Sequence, residues 1–331
     1  MIKSLKVKLL LVLLLLSLLT SLVSCSTEYS PIEPTDEDMT VVGQISGKDV
    51  YLDELRFITE SNKKALESKY GEGIFSGAES EKYLAELRDA VFANITANYA
   101  TLLLCEEAYI RLGEQAILER VDSTLSDIVD ELGGMKKYKE YLEENHLTDH
   151  FLRFNIEVSL LENELFYVYV DDLGVIASDD DAVFEIIEDE FIVVRHVFVS
   201  ATTENADEKI QKAKTALDGG ADFGAVMQEY NEDSDTTANG IYILKGYMNE
   251  KYEETAFSLN IGKTSDIVSD ESGYYIIERL EMDSMQVLLK LDALKELYQQ
   301  YTFIAILDEK QSSLEFIPNE AGLAYINSIG K

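Results

Sequence analysis

The sequence has no tryptophan, only three prolines and two cysteines in 331 residues, and 28 Lys+Arg against 63 Asp+Glu. Each shortage excludes something. Three prolines and 18 glycines rule out a collagen-like or proline-rich chain. A formal net charge of −35 argues against nucleic acid as a partner, because phosphate binding is driven by Lys and Arg displacing counterions. It argues equally against adhesion to anionic lipid through a basic patch. What is present can fold: 46% of residues are hydrophobic and 10% aromatic, enough to build real cores. The length suggests about two domains of ~100–200 residues each.

The scarce basic residues are unevenly placed. Lys3, Lys6 and Lys8 precede any acid, and setting aside residues 1–25 leaves 25 basic against 63 acidic residues, a formal −38. Leu9 to Leu22 is apolar apart from Ser17, Thr20 and Ser21. A basic start, an apolar middle and small residues before a cut make a secretory signal. The apolar run is shorter than the ~20 residues that a membrane span needs. Its ending, Leu22-Val23-Ser24-Cys25, resembles the bacterial lipobox. That resemblance implies that Cys25 is acylated and becomes the N-terminus, so residues 1–25 are expected to be a lipoprotein signal peptide. Each buried CH₂ of an acyl chain contributes about 0.8 kcal/mol, so a multiply acylated Cys25 would hold the protein at the membrane, on its extracytoplasmic face. With Cys25 used, Cys105 has no intramolecular disulfide partner and is expected to be a small buried apolar residue.

Ser26 to Glu37 is polar, carries Pro31 and Pro34, and reads as a solvated tether, placed over 26–40. Val41–Ile45 and Val50-Tyr51 flank Gly47 as a hairpin, with Asp53 available to cap the helix that follows. Leu84, Leu87, Val91, Ile95, Tyr99, Leu102, Cys105, Tyr109 and Leu112 recur every three or four residues, which predicts one long helix stopped by Gly113. A second helix is expected from Ile117 to Leu132 before Gly133-Gly134, and a third from the Thr148 cap through Phe166. Near residue 190 the pattern changes. Phe191–Val199 is an almost continuous apolar run, rich in Val and too short for a core helix, and reads as a central strand. Beyond it the order β-α-α-β-α-β-β is expected, a compact α+β module. A helical stretch with Leu294, Leu297, Tyr298, Tyr301 and Ile304 follows, then Leu314–Ile317 and a short last helix.

Five blocks of the module, in order, carry a resemblance. They are Val194-Arg195-His196-Val197-Phe198-Val199, Gly220-Ala221-Asp222-Phe223, Gly246-Tyr247-Met248, Ala256-Phe257-Ser258-Leu259 with Gly262, and Gly273-Tyr274-Tyr275-Ile276-Ile277. Together they resemble the parvulin-type peptidyl-prolyl isomerase domain. The flanking helical pieces resemble the SurA-like chaperone portion of extracytoplasmic foldases, and a lipobox in front is the layout of PrsA-type foldase lipoproteins. The resemblance implies an α+β fold: a mostly helical chaperone body over 41–187, an inserted isomerase module over 188–282, and a C-terminal segment, 283–331, packing on the first. It implies Met248 and Tyr252, four apart, as the family's Met and aromatic substrate-binding pair, with Leu244 and Phe257 completing the wall. Asp233 falls where the family has an Asp or Cys beside the substrate, and His196 matches the first of its two strand histidines.

There are departures. The second histidine is replaced by Tyr275, the pocket phenylalanine by Tyr252, and the usual Thr before the last turn by Asp270. The usual Gly-Gly-Asp-Leu-Gly stretch is shortened to Asn239-Gly240-Ile241-Tyr242. A tyrosine hydroxyl both donates and accepts, so Tyr275 is expected to satisfy His196. The chemistry tolerates such changes. Turning an X–Pro bond takes tens to hundreds of seconds uncatalysed because the amide loses resonance as it twists, yet no covalent bond changes. An apolar place for the proline ring and hydrogen-bonding groups favouring the twisted amide suffice, so no cofactor is expected.

The remaining candidates have plainer readings. His146 and His150 are four apart, but Thr148 between them caps a helix, so no metal site is expected. Asp179-Asp180-Asp181 marks a helix start, where acids favour the macrodipole. Asn94-Ile95-Thr96 is a formal glycosylation sequon on the long helix and is discounted. The expected function is a membrane-anchored isomerase assisting unfolded secreted proteins at X–Pro bonds. The alternative is a non-catalytic holdase with a degenerate module.

Overall fold

The computed structural model describes residues 29–329, so the expected signal peptide and Cys25 lie outside the described residues. The chain divides into two compact units. One holds the chain up to Val168 together with the stretch from Ile306 on; the other is Tyr169–Ala305.

In the first unit β1 (Val41–Ile45) and β2 (Lys48–Tyr51) form the expected hairpin. Its two-residue loop, Ser46-Gly47, has positive φ at both positions, the turn whose twist suits a hairpin. A third strand, Phe316–Pro318, pairs antiparallel with β1, and the sheet order places β1 in the centre. Asn319 reinforces the junction by donating its side-chain amide to the Val41 carbonyl, 278 residues away, at 2.7 Å. The helix Glu320–Ser328 then lies so close to β1 that a Cβ on Gly322 would stand 2.1 Å from the Val42 carbonyl oxygen. The core gathers Val42, Ile45, Leu55, Leu87, Val91, Ile95, Phe316 and Ile326, all buried. Each large aliphatic side chain fully buried contributes about 1.5–3 kcal/mol.

The helices are α1 (Leu52–Tyr70), α2 (Ser80–Ile95), α3 (Ala97–Glu107), α4 (Gln115–Leu132), α5 (Met135–Glu144) and α6 (Asp149–Tyr167). The single long helix expected over Leu84–Leu112 is therefore two. The break is Thr96, whose hydroxyl donates to the Ala93 carbonyl at 2.8 Å and competes with the helical ladder. The stop comes earlier than Gly113: Tyr109 adopts a left-handed φ of 61°, and the Ile110 amide closes back on the Cys105 carbonyl at 2.8 Å, as at a helix C-terminus. Cys105 is buried as expected, whereas Tyr109 is 87% exposed. Thr148 does cap α6, accepting from the Phe151 amide. Asp53 does not cap α1; its carboxylate accepts instead from Thr148 Oγ1 at 2.6 Å and bonds His150 Nδ1 at 2.9 Å.

The stretch expected to be a solvated tether is docked from Tyr29 on. The Tyr29 hydroxyl donates to Asp149 (2.8 Å to Oδ2), the Ile32 amide donates to the same carboxylate at 3.2 Å, and Asp38 pairs with Arg56 at 2.8 Å. Tyr138, wholly buried, donates to Asp149 at 2.6 Å.

The second unit contains a four-stranded antiparallel sheet of order β4-β3-β6-β5, with β3 (Ile192–Ser200), β4 (Ile241–Ile243), β5 (Val268–Ser269) and β6 (Gly273–Leu280). Helix α7 (Asp180–Glu190) precedes β3, and the order β-α-α-β-α-β-β that starts with β3 is the expected one, with α8 (Ala206–Asp218), α9 (Phe223–Tyr230) and α10 (Glu250–Ser258). Alternation along the strands separates two faces. Val197, Val199 and Ile276 pack with α8 and α9. Ile192, Val194, Tyr275 and Ile277 pack with Tyr252 and Ala256 of α10. Where β6 enters the sheet only glycine fits: a Cβ on Gly273 would meet the Val199 carbonyl oxygen at 2.1 Å.

The division of the chain differs from the expected boundaries at 187/188 and 282/283. Residues 169–187 and 283–305 fall in the second unit, and the two segments are tied to each other. Lys295 pairs with Asp180 at 2.7 Å, Gln299 donates to the Ala177 carbonyl at 3.0 Å, and Tyr169 meets Phe303 edge to face.

Candidate active site

The α10 face of the sheet carries the polar side chains. His196 is central on β3, 2% exposed, and register places it opposite Ile277 while Phe198 stands opposite Tyr275. Both ring nitrogens of His196 are engaged. Nδ1 lies 2.8 Å from the Tyr252 hydroxyl, and Nε2 lies 2.8 Å from Asp233 Oδ2 and 2.9 Å from Thr236 Oγ1. Thr236 in turn donates to Asp233 Oδ2 at 2.6 Å, and the Asp235 amide donates to Oδ1 at 2.9 Å.

Local sequence builds this arrangement. Asn231, just past α9, accepts from the Phe198 amide at 2.8 Å, and the Glu232 amide donates to the Phe198 carbonyl at 2.9 Å, which pins the loop to β3. Asn249 caps α10 by accepting from the Tyr252 amide at 2.9 Å and donates to Asp270 at 2.6 Å, which ties the helix start to the β5–β6 turn. Tyr252 is thereby aimed at the sheet and is fully buried.

The electrostatics agree with the geometry. Burial of His196 lowers its pKa, so the ring is neutral, although Asp233 pulls the other way. Burial would raise Asp233, but the Thr236 hydroxyl, the Asp235 amide and His196 together hold it below the usual carboxylate value. Burial pushes Tyr275 up to about 12 and also raises Tyr252. The site at neutral pH is therefore a neutral imidazole, neutral hydroxyls and one carboxylate, with about a quarter of the Asp233 side chain open to solvent.

The structure brings His196, Asp233, Tyr252 and Tyr275 together. Tyr275, expected to satisfy His196 by its hydroxyl, instead meets the imidazole edge to face at 5.6 Å and Tyr252 likewise at 5.2 Å. Tyr252, expected in the substrate wall, presents no accessible surface. Met248 and Phe257 are half-buried against the same cluster and Leu244 is nearly buried. Phe198, also half-buried there with its ring tilted 32° to that of Tyr275 at 4.7 Å, is an apolar residue of the same face that the sequence pattern does not single out. Nor did it find Thr236. The available signal was the spacing Asn231-x-Asp233-x-x-Thr236, whose short polar side chains bond their own loop.

This buried imidazole bonded to a loop carboxylate, on an antiparallel sheet covered by three short helices, lies within a stretch that matches a known domain. Residues 184–282 match the family model described as the PPIC-type PPIASE domain. The chain thus carries an isomerase domain of this type. Among its relatives, the Foldase protein PrsA of Caldanaerobacter subterraneus subsp. tengcongensis is 26% identical over 268 residues, which is 78% of this chain and 77% of that one. The Foldase protein PrsA of Oceanobacillus iheyensis is 25% identical over 201 residues, 60% of this chain and 62% of that one. Among solved structures, the peptidylprolyl isomerase PrsA from Bacillus anthracis aligns over 65% of this chain and 94% of its own, with 19% identity and a TM-score of 0.35.

Proposed function

We propose that this chain is an extracytoplasmic foldase, held at the membrane through acylated Cys25, whose module turns X–Pro bonds in unfolded secreted proteins. The observation that carries this reading is the hydrogen-bonded chain Tyr252–His196–Asp233, which begins in the core and ends on a part-exposed carboxylate. Phe198, Met248 and Phe257 provide apolar surface on the same face for a proline ring. A planar amide places partial negative charge on its oxygen and partial positive charge on its nitrogen. A carboxylate set near that oxygen disfavours this separation and so favours the twisted amide, in which it is lost. Asp233 has that role; His196 and Thr236 hold it still. The helical unit, with its docked N-terminal stretch, offers the surface that keeps the client unfolded while the bond turns.

The test is cis-to-trans exchange in X–Pro tetrapeptides. The wild-type chain accelerates it, and Met248→Ala slows it by about tenfold for each ~1.36 kcal/mol of transition-state stabilisation removed. Wild-type exchange at the uncatalysed rate across several X–Pro contexts overturns the reading, and suppression of client aggregation unaffected by Met248→Ala would then identify a holdase.

A further inference from the structure

Where the resemblance implies a phenylalanine on the pocket helix and a second histidine on the last strand, this chain has two tyrosines, Tyr252 and Tyr275. The two replacements are linked by geometry. The hydroxyl that Tyr252 adds is the one that reaches His196 Nδ1, at 2.8 Å, from a ring with no exposed surface. Tyr275 keeps the ring contact to His196 and to Tyr252, both edge to face.

We propose that Tyr252 is a positioning residue: its hydroxyl does the hydrogen-bonding work of the absent second histidine and fixes His196 in a single tautomer. The proton inventory favours one arrangement over the other. A carboxylate accepts only, so Asp233 Oδ2 at 2.8 Å requires a proton on His196 Nε2. In the neutral ring Nδ1 is then bare, and the Tyr252 hydroxyl donates to it. Thr236 donates to Asp233 as well, so every donor in the chain has an acceptor. The opposite tautomer sets a bare Nε2 against the carboxylate and leaves the Tyr252 proton without an acceptor in a fully buried site. This inference rests on the isomerase reading only for its kinetic arm.

The consequence is that neither tyrosine can be returned to the family residue alone. Tyr252→Phe keeps the ring and strips Nδ1 of its donor. Tyr275→His introduces an imidazole beside a histidine whose nitrogens are both already bonded. The two together restore a partner and remove its competitor.

The experiment uses the full chain with ¹⁵N-labelled histidine, of which it has three, and X–Pro tetrapeptide exchange, with thermal melting to confirm that each variant is folded. In the wild type the His196 ring shifts report a protonated Nε2 and a hydrogen-bonded, unprotonated Nδ1. Tyr252→Phe moves the Nδ1 resonance and mixes the tautomers, and lowers kcat by about tenfold with KM unchanged, the size of one lost hydrogen bond made in place. Tyr275→His alone brings no gain. The double variant Tyr252→Phe/Tyr275→His recovers most of the lost kcat. Ring shifts unchanged by Tyr252→Phe, or a double variant no faster than Tyr252→Phe, overturn the proposal. A wild type with the expected shifts but no acceleration overturns the isomerase reading and leaves the positioning role standing.

Discussion

Each unit buries polar groups, and the two sets are finished differently. Around His196 every donor meets an acceptor, from the Tyr252 hydroxyl to the Asp235 amide. In the helical unit Glu54 is 3% exposed and accepts from the Tyr99 hydroxyl at 2.9 Å through Oε2, while its Oε1 is buried with no partner among the described residues. Burial raises Glu54 to about 8 despite the bond from Tyr99, and the like charge of Asp53 beside it adds to the rise. A closed network fixes a charge where the surface can use it. An open one resolves its debt by keeping a proton, and makes the fold answer to pH.

Asp149 belongs to the helical unit but is closed, which makes it the hardest test of this contrast. Asp149→Ala would orphan the buried Tyr138 hydroxyl and release Tyr29 and the Ile32 amide together. At about 1–3 kcal/mol per buried donor left unmet, the expected loss is about 3 kcal/mol in chemical denaturation, the largest of the series. A loss under about 1 kcal/mol would mean that closure matters less than the contrast requires.

Glu54→Gln acts in the opposite sense. The unfolded chain releases this proton near 4.5 and the folded chain near 8, so the unfolded state is favoured increasingly as pH rises between those values. The substitution should stabilise the fold by about 1–2 kcal/mol at pH 8, have little effect at pH 4, and flatten the decline between. Melting temperatures across that range measure it, and a parallel downward shift of the whole curve would contradict it.

His150 gives the smallest effect. Its bond to Asp53 raises its pKa above 6.5, so its contribution is complete below 6.5 and is lost as pH rises through the folded value. Burial lowers His196 instead, so its contribution is lost as pH falls below 6.5. His150→Gln should therefore lower stability by under about 1 kcal/mol at pH 6 and by less at pH 9, because the pair is partly exposed. A larger loss at pH 9 than at pH 6 would reverse the assignment.

These networks also mark how far the sequence could be read. The apolar run at Phe191–Val199 and the order of elements after it were legible because strand and helix periods are local. His196 could be placed on the strand by its own block, whereas Asp233 lies outside all five blocks and its contact with His196 is fixed by the loop after α9. The break at Thr96 was not, since the apolar spacing runs through it unchanged while a single hydroxyl diverts the backbone. Asp53 looked like a cap because its true partners, Thr148 and His150, lie almost a hundred residues on. The bond expected of Tyr275 falls to Tyr252 for the same reason: which hydroxyl reaches the imidazole depends on how α10 is set by Asn249 and Asp270, not on either tyrosine's neighbours.

The pairing of β1 with Phe316–Pro318 bears on the order in which the chain matures. The central strand of that sheet is among the earliest described segments, and its outer partner comes from near the far end. While the chain emerges from N- to C-terminus, β1 must wait with one edge unpaired, whereas the module between them has all its strands within one stretch and can fold at once. Formation of the module shortens the effective loop that must close between β1 and its partner. A foldase built this way acquires its isomerase before its own body is complete, and is among the first chains that such an activity could serve.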